Sequence, residues 1–132
     1  MGDLEPNVRD RGDMKKVKFY VCPDCGNVLF CTGEGEISCC GRKLTALLSQ
    51  PEDPQHEIRI EEIENDYYVT LQHEMSKEHF ITFMAYVAWD RVLLIKQYPE
   101  QAAEVRFPKM YGGEFYICCN QHGLIRKGKS SV

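Results

Sequence analysis

The chain of 132 residues contains no apolar run that approaches the roughly 20 residues needed to span a bilayer. Its first residues lack the charged and apolar regions of a secretory signal, and Pro6 stands where a myristoylation motif needs Ser or Thr. It also lacks a basic block, and its net charge of -4 argues against nonspecific nucleic-acid binding. We therefore expect a cytoplasmic protein that has neither a membrane nor a nucleic acid as its partner.

Helical periodicity is also missing, because we find no long amphipathic helix and no internal repeat. Short runs rich in β-branched and aromatic residues alternate with turn signals such as Asn65-Asp66 and Gly112-Gly113. These runs are Glu57–Glu61, Tyr67–Leu71, Phe80–Trp89, Val92–Ile95, Ala103–Phe107 and Glu114–Cys118. Strands of this length and spacing predict a mainly β protein with a β-sandwich or barrel.

Composition divides the chain into four parts. Residues 1–16 are polar and predict a flexible leader, and residues 17–50 form a short cysteine-rich module punctuated by glycine. Residues 51–56 predict a linker, since its two prolines, Pro51 and Pro54, discourage regular structure. Residues 57–132 carry most of the strand signals and predict the β-sandwich domain.

Seven cysteines in a cytosolic chain favour metal ligation over disulfides. Cys22 and Cys25 form a Cys-x-x-Cys turn, and Cys39 and Cys40 are adjacent, so the four thiolates predict a tetrahedral zinc or iron site. Adjacent ligands must splay apart, which predicts a distorted tetrahedron. A module of about 30 residues is too small for a self-sufficient core, so metal binding would contribute much of its folding free energy.

Two other interpretations of the cysteine module remain open. It could be a structural zinc knot without a redox role. A catalytic Cys-x-x-Cys of the thioredoxin type is less favoured, because the βαβ pattern that surrounds such a motif is missing. Cys31 and Cys118 fit neither metal set and are expected to be small buried residues, while Met75 and Trp89 are expected to be packing residues.

Histidine is scarce, and all four histidines fall into one pattern. Two are six residues apart, one follows a cysteine by three residues, and one ends the linker. The candidate ligands are His56, His73, His79, Cys119 and His122. Imidazoles with one thiolate suit a redox-active transition metal, and five ligands leave one octahedral position open for a small molecule. A single histidine is more often a surface or core residue, and this alternative stays open above all for His56.

The cysteine pattern and the histidine pattern both resemble those of a known family, the desulfoferrodoxins, which are the two-domain class of superoxide reductases. Tyr20–Val28 with Cys39–Gly41 is similar to their desulforedoxin-type module. His73–Ile81 and Tyr116–Leu124 resemble the two signatures of their catalytic domain, and Pro99–Phe107 matches the segment between them. The resemblance extends from about Lys18 to Lys127 and therefore covers nearly everything except the leader.

The resemblance implies a rubredoxin- or desulforedoxin-like module followed by an immunoglobulin-like β-sandwich that carries a mononuclear iron. The equatorial ligands would be the four imidazoles, and Cys119 would be axial. The implied activity is one-electron reduction of superoxide to hydrogen peroxide at ferrous iron, with a rubredoxin-like protein as electron donor. The family also suggests a homodimer, and the tetracysteine centre would hold iron or zinc.

The chain departs from the family pattern next to two of the ligands, and its separation of His56 from His73 is shorter than is usual in the family. The family commonly has Glu-Lys before its first histidine ligand, where this chain has Pro54 and Gln55, and Glu74 replaces the proline of His-Pro-Met. Lys77 is a candidate for the missing positive potential, although an ordinary solvated lysine is the simpler interpretation. Two other functions therefore remain: an electron-transfer or metal-binding protein without efficient turnover, and a zinc-stabilised interaction module.

Overall fold

A computed structural model describes residues 14–33, 35–110 and 112–127, and the regular structure of this part of the chain is almost entirely β-strand, with no α-helix among the described residues. Most of the expected leader, residues 1–13, lies outside the described residues. A single turn of 3-10 helix at Met14–Lys16 precedes the strands. The strands are β1 (Lys18–Val21), β2 (Val28–Cys31), β3 (Ile37–Cys39), β4 (Arg42–Leu44), β5 (Gln50–Pro51), β6 (Arg59–Ile63), β7 (Asp66–Thr70), β8 (Ile81–Val87), β9 (Val92–Lys96), β10 (Glu104–Pro108), β11 (Glu114–Cys119) and β12 (Gly123–Arg126).

Two sheets form the predicted sandwich. The larger has the order β5-β12-β11-β8-β9, and the smaller has the order β10-β7-β6. All pairs are antiparallel except β5 with β12, which run parallel. The side chains between the sheets form the main core, which includes Ile58, Val69, Ile81, Met84, Tyr86, Phe107, Phe115, Ile117, Cys119 and Ile125. The predicted β-sandwich is confirmed.

Strand β8 is buried on both faces. Met84 and Tyr86 point into the main core, and Phe83, Ala85 and Val87 belong to a second core on the other side of the sheet. A strand covered on both sides is expected to be continuously apolar, as this one is. Its burial shows that the five-stranded sheet has a covered outer face.

The cysteine-rich module covers that outer face. Phe19 of β1 is the buried residue that it contributes to the second core, with its ring centroid 5.4 Å from that of Phe83 and 5.8 Å from that of Tyr116. The module's own core is small, consisting of the buried residues Tyr20, Cys22 and Leu44 with partly buried neighbours. So small a core agrees with the expectation that the module needs a metal ion for stability.

Four residues outside the metal sets have environments that can be compared with expectation. Met75 packs against the main core and Cys118 is buried, as predicted. Cys31 is only half-buried. The expectation for Trp89 is wrong, because this residue lies after the end of β8 and its side chain is 62% exposed. Aromatic character alone did not distinguish the last residue of a buried run from its interior.

Within the described residues, no helix is long and apolar enough to cross a membrane. The predicted linker begins in a short ordered pairing, since Pro51 lies beside Arg126 of β12. The residue before it, Gln50, ends the predicted module and lies beside Ile125. Proline is tolerated there because β5 is an edge strand. This pairing leads the chain directly toward His56.

Gly113 is the glycine at which the fold demands the absence of a side chain. Its φ is +109°, and an added Cβ would lie 2.6 Å from the ring of Tyr86 and 2.9 Å from the carbonyl oxygen of Val87. The Tyr86 ring cannot move away, because it stacks on Phe115 at 4.2 Å and its hydroxyl donates a hydrogen bond to the carbonyl of Gly112.

We predict that Gly113→Ala lowers the free energy of unfolding by about 2–5 kcal/mol, combining backbone strain with overpacking. Gly112→Ala is the matched control, since its φ is +62° but no atom lies within 4 Å of an added Cβ. Urea unfolding of both variants is the measurement. If both variants lost the same free energy of unfolding, close packing against Tyr86 would make no contribution to the effect of Gly113→Ala, and the prediction would be contradicted.

Candidate metal centres

The four predicted cysteine ligands converge in the N-terminal module. One ligand atom from each of Cys22, Cys25, Cys39 and Cys40 lies within 4.8 Å of all the others. The Sγ atoms of Cys25 and Cys39 are 3.6 Å apart, and those of Cys39 and Cys40 are 4.0 Å apart. Cys40 has a left-handed backbone with φ 55°, which an L-residue adopts only at some cost. This conformation allows two adjacent side chains to reach one point.

The electrostatics of the four thiols favour a bound cation. The backbone N–H of Cys25 is the largest cause that lowers the pKa of Cys22 to about 7. The pKa of Cys40 is raised to about 12, chiefly by its interaction with the Cys25 thiol and then with those of Cys22 and Cys39. The cluster therefore does not release all four protons by itself near neutral pH. A zinc or iron ion would provide the positive charge that four thiolates require.

The four imidazoles form a closed ring at one end of the sandwich. Neighbouring ring centroids are 5.0 Å apart for His56 and His73, and 4.6 Å apart for His73 and His79. They are 5.3 Å apart for His79 and His122, and 4.9 Å apart for His122 and His56. Each histidine thus has two histidine neighbours, and His56 lies diagonally across the ring from His79.

Three of these imidazoles point a buried nitrogen at no partner. The Nε2 atoms of His56, His73 and His79 are buried without a hydrogen bond. A buried polar atom without a partner is costly, and three together in one place are not expected of a packed core. A metal ion that accepted the three lone pairs would remove that cost, so the donor set fits a transition metal.

Hydrogen bonds on the opposite side of each ring determine which nitrogen carries the proton. His56 Nδ1 lies 2.9 Å from a carboxylate oxygen of Asp53, and His79 Nδ1 lies 2.9 Å from a carboxylate oxygen of Glu74. His73 Nδ1 lies 2.5 Å from the backbone carbonyl of Glu74. Because these oxygens accept, the three Nδ1 atoms donate, and each Nε2 keeps its lone pair for a metal.

Cys119 reaches the site through an irregularity in the sheet. The register between β11 and β8 shifts between Cys118 and Cys119, so that Cys118 pairs with Phe83 and Cys119 pairs with Ile81. Such a bulge changes the direction of a side chain at the end of a strand. Cys119 is 1% exposed, and its Sγ lies 3.4 Å from Nδ1 of His122. His122 therefore turns Nδ1 toward the sulfur, whereas the other three histidines present Nε2.

Two further contacts hold the contributing segments together. The side chain of Asn120 accepts a hydrogen bond from the backbone N–H of Phe80 and donates one to the carbonyl of Glu78. These bonds join the turn after β11 to the loop between β7 and β8. On the other side, Ile58 is fully buried and its N–H donates to the Glu52 carboxylate, which anchors the segment around His56.

The structure brings all five predicted histidine–cysteine residues together, with one difference among them. The ligand atoms that lie within 4.8 Å of one another belong to His56, His79, Cys119 and His122. His73 stands beside this group as the fourth member of the ring. His56, for which the sequence left an ordinary core or surface role most open, is 1% exposed and belongs to this group. Lys77 is exposed in the loop between His73 and His79.

Sequence reasoning missed Asp53 and the contacts of Glu74. Asp53 lies three residues before His56 and forms a turn in which its carboxylate also accepts from the backbone N–H of Gln55 at 2.9 Å. Its hydrogen bond with His56 is the main cause that lowers the pKa of Asp53. Carboxylates close in sequence to candidate histidine ligands were the available signal, since metal-binding imidazoles commonly donate to a carboxylate.

Comparison with known proteins points the same way. The desulfoferrodoxin of Syntrophotalea carbinolica is 29% identical over 83% of this chain and 94% of its own length. That of Clostridium acetobutylicum is 28% identical over 82% of this chain and 93% of its own. No family model matches the chain. The resemblance to desulfoferrodoxins inferred from the motifs is thus confirmed by named relatives.

The fold is confirmed independently. The crystal structure of the superoxide reductase from Treponema pallidum matches with a TM-score of 0.74 and 21% sequence identity. The match covers 86% of this chain and 98% of the other. A small module with a tetracysteine group before a β-sandwich is therefore the fold of this protein.

The environment of His73 predicts how stability of the metal-free protein depends on pH. Burial is the main cause that lowers the pKa of His73 below its usual 6.5. At a pH between the lowered pKa of His73 in the folded protein and its usual pKa in the unfolded chain, the unfolded chain binds the proton more readily than the folded one. Acidification through this interval therefore favours unfolding. We expect the free energy of unfolding to fall as pH decreases from about 7.5 to about 5.5.

Urea unfolding of metal-free protein across that interval tests this expectation, with His73→Gln as the comparison. The variant should show a flatter dependence on pH because it lacks the titrating group. Asp53 and Glu74 have lowered pKa values and act at more acidic pH, so they do not interfere. An unchanged slope in the variant would contradict the assignment to His73.

Proposed function

We propose that this chain, a relative of the desulfoferrodoxins, is a superoxide reductase with a mononuclear iron site. The ligands would be His56, His73, His79 and His122 with Cys119. The observation that carries the proposal is the set of three buried Nε2 atoms without partners beside a buried cysteine sulfur. Three nitrogens and one sulfur would also suit a zinc ion. The closed ring of four imidazoles with one thiolate suits iron that changes its oxidation state.

Access to the site follows from burial. Cys119 and His56 are each 1% exposed and lie against the core, whereas His122 is exposed and His79 is partly exposed. A small anion would therefore approach from the side of the ring on which His122 and His79 are exposed. Iron bound there would supply one electron to superoxide, which takes up two protons to become hydrogen peroxide. The hydrogen-bonded imidazoles would keep their geometry during the change of charge, since their Nδ1 atoms are already occupied.

Among the residues that the structure describes, few around the site offer positive charge to attract an anion. Gln55 and Pro54 are exposed next to His56, and the carboxylates of Asp53 and Glu74 lie against two imidazoles. Lys77 is the nearest basic residue in sequence to the ligands, and it is proposed as the source of positive potential. A negative environment slows association of a negative substrate. This observation favours the second candidate function, an electron-transfer or metal-binding protein without efficient superoxide turnover.

The remaining features of the proposal concern the setting of the reaction. We propose that the tetracysteine centre of Cys22, Cys25, Cys39 and Cys40 holds iron or zinc. A rubredoxin-like protein would return the electron, and the protein would act as a cytoplasmic homodimer in protection against oxidative stress. This setting is what the resemblance to desulfoferrodoxins implies, and two relatives carry that name.

Pulse radiolysis of the ferrous protein tests the activity. We expect superoxide to disappear faster than in an equal concentration of free iron, and Cys119→Ser to lose most of this rate because the sulfur donor is removed. Consumption no faster than by free iron would contradict the proposal. Metal analysis belongs to the same experiment, since colourless protein that contains only zinc would support the zinc-stabilised interaction module instead.

Gln55→Lys tests whether charge limits the reaction. Placing a cation beside the ring should raise the second-order rate with superoxide about tenfold at low salt, and the gain should shrink as salt increases. Thr45→Lys adds the same charge at an exposed position of the cysteine module and serves as the control. Equal rates in the two variants would mean that steering near His56 does not limit turnover.

A further inference from the structure

Glu74 contacts two neighbouring candidate ligands at once. Its carboxylate Oε1 accepts a hydrogen bond from Nδ1 of His79 at 2.9 Å, and its backbone carbonyl accepts one from Nδ1 of His73 at 2.5 Å. The rings of these two histidines are themselves 4.6 Å apart. One residue therefore sets the tautomer of two adjacent imidazoles, one through its side chain and the other through its main chain.

The loop holds the Glu74 carboxylate in place from its other side. Ser76 Oγ donates to Oε2 of Glu74 at 2.7 Å, and this bond is the largest cause that lowers the pKa of Glu74. The backbone N–H and carbonyl groups of Ser76 and His79 exchange hydrogen bonds at 3.1 and 3.3 Å, which closes the loop. Both carboxylate oxygens are thus engaged, so the orientation toward His79 does not depend on the metal.

Asp53 forms a similar arrangement on the other side of the ring. Its two carboxylate oxygens lie 2.9 and 3.1 Å from Nδ1 of His56, and His56 is diagonal to His79. The two imidazoles that donate to carboxylates are therefore opposite members of the ring. A carboxylate on Nδ1–H draws the proton toward itself and makes Nε2 a stronger electron donor.

We propose that Glu74 is a positioning residue that, paired with Asp53 across the ring, stabilises the oxidised form of the bound metal relative to the reduced form. Two carboxylates and the Cys119 thiolate place negative charge around the site from three directions. A trivalent ion gains more from this charge than a divalent ion does, because Coulomb interaction scales with the product of the charges. This inference rests on the proposed metal centre but not on superoxide turnover.

The test compares Glu74→Gln with the unsubstituted protein, using the full chain loaded with iron. Glutamine keeps an acceptor for His79 but removes the negative charge. We expect a loss of 10–100-fold in affinity for the ferric ion, as for other groups that hold a ligand imidazole, and a smaller loss for the ferrous ion. Each tenfold difference between these losses raises the midpoint potential by about 59 mV, measured by spectroelectrochemical titration.

Glu78→Gln is the matched control, since Glu78 is an exposed carboxylate in the same loop and its substitution changes the net charge equally. Cobalt(II) affinity, measured by competition with a chelator, provides a second readout that requires no redox chemistry. A raised potential in Glu74→Gln alone would support the proposal. Equal potentials in the two variants, or a loss of affinity that is the same for both oxidation states, would overturn it.

Failure of this inference and failure of the proposed function can be told apart. Potential and cobalt affinity are measured without superoxide, so a slow reaction with superoxide leaves their interpretation unchanged. The cobalt absorption spectrum also reports whether the imidazole and thiolate donors still converge in Glu74→Gln. A variant that binds no cobalt is replaced by Asp53→Asn, which removes the opposing carboxylate and must raise the potential in the same direction.

Discussion

The candidate catalytic centre depends on hydrogen bonds that face away from it. Each of three imidazoles donates through Nδ1 to an oxygen of Asp53 or Glu74, and each thereby keeps a bare Nε2 directed inward. In an apolar protein interior such unpartnered nitrogens would be unfavourable. The ring is therefore organised before a metal binds, and the free energy that this organisation costs is recovered when the ion arrives.

The β-sandwich makes this arrangement possible because it brings distant segments to one end. The ligands come from the segment before β6, the loop between β7 and β8, the end of β11, and the turn between β11 and β12. The bulge in β11 directs Cys119 inward, and Asn120 bonds the turn to the loop that carries His79. The cysteine module has a different role in the fold, since Phe19 covers the outer face of the same sheet.

The two metal sets were predictable from sequence because ligand residues are scarce and closely spaced. His73 with His79, and Cys119 with His122, form local pairs, and four cysteines form two local pairs. Asp53 and Trp89 show where this reasoning stopped. Asp53 resembles any exposed acidic residue until the turn places it against His56, and Trp89 resembles a core aromatic until the strand is seen to end before it. Neither outcome is encoded in residue type or short-range periodicity.

The amino-acid sequence by itself determined the donor atoms, the β-structure and the resemblance to desulfoferrodoxins, because these depend on residue type, spacing and local alternation. Tertiary structure decided the order of histidines around the ring, with His56 opposite His79, and the nitrogen that each presents. It also decided that Glu74 bonds two ligands and that β8 is buried on both faces. The order of the ring and the burial of β8 require segments far apart in the chain to meet, which only the packing of the two sheets and the module specifies. The contacts of Glu74 lie within one loop, and they depend on the conformation of that loop, which residue type and spacing do not specify.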